Sequence, residues 1–192
     1  QVIPMFFVTP AYPNWCRYNM TPVIIIALVL IAISLKVDWM APIALFVLAI
    51  SLIIYAIVTL VLLHNRKRKI FDASVALWQT GLTCLILSQL ALLQSKVTLI
   101  NIFGIDSLVL FAGLFLLGFV CSIIIAMLLK ILPFLAYMHI QQIIFNNFAL
   151  ADKLPTMHQL LPKTYGRLLL TTQLINLVAM FYWLMASTDI LV

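Results

Sequence analysis

Ala41 to Leu63 contains no charged residue and is followed directly by His64-Asn65 and the block Arg66-Lys67-Arg68-Lys69. A run of that length matches the roughly 20 helical residues needed to cross the hydrocarbon of a bilayer, where every backbone N–H and C=O must find its partner inside the segment. The basic block then holds the end of the run at the headgroups. The run predicts a transmembrane helix, and that prediction constrains the rest of the chain.

Runs of the same kind recur. Ala73 to Gln94, Ser107 to Leu129 and Leu168 to Thr188 pass the same length test. A shorter run, Val23 to Leu35, follows Met20-Thr21-Pro22, which predicts a helix from Asn19 to Val37 with Pro22 in its first turn and Lys36 and Asp38 at the interface. Pro4, Pro10, Pro13 and Pro22 preclude one continuous helix upstream. Residues 1–18 therefore read as non-helical, with Gln1 to Val8 alternatively the end of an earlier span. The expected fold is all-α, a polytopic transmembrane helix bundle of about five spans (19–37, 41–63, 73–94, 107–129 and 168–188), forming one membrane domain over 1–192.

With 66% hydrophobic and 8% charged residues, the chain is excluded from the soluble globular class. It contains no Glu and five Asp, which supplies acid–base catalysis or a hard-cation site poorly. No catalytic constellation is present. The net charge of +6 marks one side of a membrane rather than nucleic-acid binding. If the Arg66 to Lys69 loop is cytoplasmic, Arg17, Lys130, Lys153, Lys163 and Arg167 fall on the same side, nine of the eleven basic residues, and only Lys36 and Lys96 lie opposite. The C-terminus is then periplasmic or extracellular.

Cys16, Cys84 and Cys121 show no metal or redox spacing. Thr80, Cys84 and Ser88 recur every fourth residue, as do Gly118, Ser122 and Ala126. Such small-residue faces let helices approach closely, either within one subunit or in a homo- or hetero-oligomer. Gln79, Gln89, Gln173 and Asn176 lie within spans, where an amide facing lipid is costly. They either line a substrate path or hydrogen-bond between helices, and Gln173 and Asn176, one turn apart, are both expected to face other helices.

The fourth span continues without a turn signal other than Pro133 into Lys130-Ile131-Leu132-Pro133-Phe134-Leu135-Ala136-Tyr137-Met138-His139-Ile140-Gln141-Gln142, and a helical extension is expected over 131–150. A straight helix from Ser107 to Leu150 would be roughly 65 Å long, so it must bend or emerge at the cytoplasmic face, with Pro133 the expected kink. His139, Gln142 and Asn146 share one helical face, while Lys130 is about half a turn out of phase with His139 unless a bend brings them together. These four residues are the candidate cofactor site. An imidazole ligates haem iron or another transition metal, with His139 the candidate ligand and a neighbouring amide orienting its ring. The alternative is a solvated interfacial helix with Lys130 snorkelling to headgroups. His64 reads as a headgroup contact and His158 as a surface residue.

Two segments, Gln1-Val2-Ile3-Pro4-Met5-Phe6-Phe7-Val8-Thr9-Pro10-Ala11-Tyr12-Pro13 and Lys130-Ile131-Leu132-Pro133-Phe134 with His139, resemble stretches of bacterial inner-membrane proteins. Those proteins are related to subunit I of the haem–copper oxidases and to the haem- and copper-containing nitric-oxide-response membrane proteins. The resemblance implies a bacterial inner-membrane location, a longer bundle of which this chain is the C-terminal part, and a haem role for His139 with Lys130 and Pro133 shaping the segment. The three histidines lack the closely spaced pairs of the oxidases, so the chain does not carry a complete oxygen-reducing centre. Three functions remain open: a haem-binding protein of respiratory or nitrosative metabolism, a small-molecule permease component, and a non-catalytic assembly subunit.

Overall fold

A chain this apolar satisfies its backbone in lipid by closing it into helices. A computed structural model describes residues 7, 9–34, 36–66, 72–97, 107–145 and 162–188, and every element in them is helical. In chain order these are α1 (Asn14–Ser34), a short 3-10 turn (Asp38–Met40), α2 (Ala41–His64), α3 (Ala73–Val97), α4 (Ser107–Gly113), a π segment (Leu114–Val120), α5 (Cys121–Phe145) and α6 (Lys163–Thr188). Helix α4, the π segment and α5 run on as one rod, which makes five helices long and apolar enough to cross a membrane.

The first helix begins five residues earlier than the Met20-Thr21-Pro22 signal predicts. The Arg17 N–H donates to the Pro13 carbonyl at 3.0 Å, so Pro13 rather than Thr21 starts the ladder, and residues 14–18 are helical. Pro22 lies inside the helix. A proline there removes one N–H, a loss that membrane helices accommodate when the rest of the ladder is intact. Helix α2 carries Pro42 in its first turn, where its missing N–H breaks no ladder bond, and α3 is capped by Asp72, whose Oδ1 accepts from the Ser74 N–H at 3.1 Å and the Ser74 hydroxyl at 2.8 Å.

Helix α3 is the centre of the bundle: α2, α4, the π segment, α5 and α6 all pack on it. Leu77, Leu82 and Leu85 form the core around it, with Leu63 and Ala126 from its neighbours. The two small-residue faces are consumed here. A Cβ on Gly118 would sit 2.7 Å from the Cys84 Cβ, and one on Gly81 would sit 3.2 Å from the Ser122 Cβ, so the faces pack against each other within the subunit. Upstream, Tyr12 donates to the Thr59 hydroxyl at 3.0 Å, and Thr59 donates onward to the Tyr55 carbonyl at 2.7 Å, which docks the segment before α1 onto α2. The outer sides of α1 and α6 expose Ile25, Ile26, Ile175 and Val178, surfaces that suit acyl chains.

Upstream of Pro133 the rod carries an irregularity that no proline signals. Helix α5 passes through Pro133 and continues to Phe145. The departure from α geometry lies in the π segment, where the Cys121 N–H donates to the Leu116 carbonyl five residues back and skips that of Leu117.

Candidate functional site

Three polar features stand out in so apolar a bundle. The first is Gln173 on α6, 4% exposed, whose Nε2 donates to the skipped Leu117 carbonyl at 2.6 Å and to the Ser122 hydroxyl at 3.0 Å. The amide thus satisfies the acceptor that the π segment releases. Asn176 behaves differently: it is exposed on the rim of a cleft between α6 and the α4–π rod, contrary to the expectation that both amides face other helices. The two positions are about 60° apart around the helix, enough to turn one inward and leave the other outside. Gln89 is 1% exposed and its carbonyl oxygen has no partner among the described residues, while its Nε2 lies 3.4 Å from the Ser88 hydroxyl.

The second feature is an ion pair at the end of the bundle where α2 stops and α3 starts. Lys130 on α5 donates to Asp72 Oδ2, and its Nζ lies 5.6 Å from the centroid of the Phe7 ring. Phe7 in turn meets Trp78 edge-on at 6.1 Å between centroids. Burial pushes the Asp72 carboxyl up, but the hydrogen bonds from Lys130 and Ser74 and the Lys130 charge outweigh it and hold the carboxyl below its usual range. The same aspartate caps α3 and fixes the depth of the rod.

The third is His139. Helix α3 starts at Ala73, and a Cβ on Gly166 of α6 would sit 3.0 Å from the Ala73 Cβ, so these two helices reach the same level as the Asp72–Lys130 pair. Helix α5 continues about 22 Å beyond Lys130, and His139 stands about 13 Å out along it. Its imidazole is exposed and has no hydrogen-bond partner among the described residues. Leu135 and Leu132, one and two turns before it, are also exposed, as is the adjacent Met138. An unbroken helix keeps Lys130 half a turn away from His139 and on Asp72, so the proline does not bring the two together. The side chain of Gln142 and all of Asn146 lie outside the described residues.

The donor chemistry fits one face of a haem: an accessible imidazole for the iron, and uncovered leucines one and two turns before it for the apolar macrocycle. Among the described residues no cluster of three His, Cys, Asp or Glu side chains is placed to hold a metal ion. His64 is exposed and lines a shallow groove with Gln79 and Thr83, whereas His158 lies outside the described residues. Sequence reasoning missed the Asp72–Lys130 pair, which spans 58 positions, although Asp72 is the acid nearest the basic block and sits just ahead of an apolar run.

No protein-family model, curated protein or solved structure matches the chain.

Proposed function

We propose that this integral membrane protein binds haem at the membrane surface, with His139 as axial ligand, in the service of respiratory or nitrosative metabolism in a bacterial inner membrane. One observation carries the reading: an unpartnered imidazole at the end of an apolar helix face that stays uncovered beyond the Asp72–Lys130 pair. Apolar surface outside the hydrocarbon is costly to leave in water, and a flat macrocycle covers it while the imidazole meets the iron. The resemblance of Lys130 to Phe134 and His139 to membrane haem proteins points the same way. Bound haem would supply an iron centre that takes a diatomic ligand or an electron. Helix α5 would cover one face of it, and Asp72 would hold Lys130 so that the rod projects at a fixed height.

Nine of eleven basic residues on one side support a cytoplasmic location for this end of the bundle. Titration of the detergent-purified full chain with haemin tests the proposal. The expected result is a saturable Soret shift at one haem per chain, unchanged in His64→Ala and lost in His139→Ala; a shift that is the same in all three proteins, or none in wild type, refutes it.

A permease component is the second reading, favoured by Gln89. A buried carbonyl oxygen without a partner is costly, and in transporters such groups meet a substrate.

A further inference from the structure

We infer that the cleft between α6 and the α4–π rod is a self-association surface, and that its occupant is the same cleft of a second copy of this chain. The cleft has a volume of about 560 Å³ and is lined by Ala112, Gly113, Leu117, Asn176, Ala179 and Trp183. It opens sideways, toward lipid. Its floor is tight, since a Cβ on Gly113 would meet the Met180 sulfur at 2.8 Å, so the α4 and α6 backbones are already close and leave a shallow trough above them.

Asn176 identifies what covers the trough. It lies at the middle of the 26-residue α6, about 20 Å from Lys163, well inside the hydrocarbon if the helix crosses it. Its amide has two donors and an acceptor, is exposed, and finds no partner among the described residues, whereas Gln173 three residues earlier donates twice inside the bundle. An acyl chain laid in the trough leaves the amide unsatisfied. A foreign helix covers it only by supplying a hydrogen-bonding group at that depth. A second copy supplies one automatically: two chains inserted with the same topology and related by a two-fold axis along the membrane normal bring like residues together at equal depth. Asn176 then meets Asn176, each amide donating to and accepting from the other. Ala112, Gly113 and Ala179 leave room for the backbones to approach. The small-residue faces on α3 and α5 are buried within the subunit and are not available for this contact. The inference does not depend on haem binding.

The test is energy transfer between donor- and acceptor-labelled full chains in phosphatidylcholine vesicles over decreasing protein-to-lipid ratios. Wild type is expected to dimerise. Asn176→Leu should weaken the dimer about three- to thirty-fold, the range that interhelical hydrogen bonds in membranes allow. Asn176→Gln should retain most of the association, and Ala179→Trp, which fills the trough, should abolish it, with helix content by circular dichroism unchanged in all three. Transfer no greater than for a monomeric membrane control at every ratio overturns the inference, as does a dimer indifferent to both Asn176→Leu and Ala179→Trp. A chain that pairs only with a different membrane protein also overturns it.

Discussion

Replacing Gln173 by Leu probes the contact that ties α6 to the π segment. The side chain is 4% exposed and makes two bonds, to the Leu117 carbonyl at 2.6 Å and the Ser122 hydroxyl at 3.0 Å. Leu fills nearly the same volume, so packing changes little and the loss is that of the amide. Interhelical hydrogen bonds in membranes average about 0.6 kcal/mol and reach about 1.7 kcal/mol, so two of them give a cost of about 1 to 3 kcal/mol. The upper part of that range applies if the Leu117 carbonyl, which the Cys121 N–H bypasses, finds no other donor. Ser122→Ala removes only the longer bond and should cost less. The assay is reversible unfolding in lipid–detergent bicelles for both single variants and the double variant. Because Ser122 loses its partner once Gln173 is gone, the double variant should match Gln173→Leu closely rather than sum the two costs. A neutral or stabilising Gln173→Leu, or strictly additive costs, would refute the assignment.

The Asp72 carboxyl titrates below its usual range in the folded protein, so the stability it contributes is present above the unfolded value of about 3.9 and is lost as pH falls through the folded value. Asp72→Asn should flatten the thermal midpoint of the detergent-solubilised chain across that acid window, and an unchanged profile would count against the pair. Gly118→Ala should destabilise the bundle by about 1 to 3 kcal/mol, because the new methyl meets the Cys84 Cβ at 2.7 Å. Cys84→Gly should relieve that cost and Cys84→Ala should not, since only the first removes the colliding atom; equal rescue by both would show that the helices simply move apart. Arg68→Cys, in a background whose native cysteines are replaced, should resist a membrane-impermeant thiol reagent in intact cells and react after lysis. Labelling in intact cells would invert the topology.

The spans are legible in the sequence because lipid imposes a simple rule: an uncharged apolar run of sufficient length closes into a helix, and α2 matches its expected run to within one residue. Helix ends set by local chemistry are harder to read. Thr21-Pro22 carries the usual signal for a helix start, yet the ladder begins at Pro13, because a membrane helix with the rest of its ladder intact houses one proline. The π segment contains no proline, and what stabilises it is an amide 56 positions away. A periodicity argument looks along one helix and cannot see that pairing. The same limit separates Gln173 from Asn176, which share a face by spacing but are divided by where α6 touches the rod. His139 was legible as an imidazole on a continuing helix, and its distance from Lys130 follows from helix geometry alone once Pro133 is known to lie inside α5.

His139→Gly, with and without free imidazole, separates iron ligation by the His139 imidazole from unspecific uptake of haem. The glycine variant of the full chain, titrated with haemin, should lose the Soret band of the wild type and regain it when millimolar imidazole is added, because the small molecule would supply the nitrogen that His139 no longer offers. A glycine variant whose spectrum equals that of wild type before any imidazole is added would refute ligation by His139.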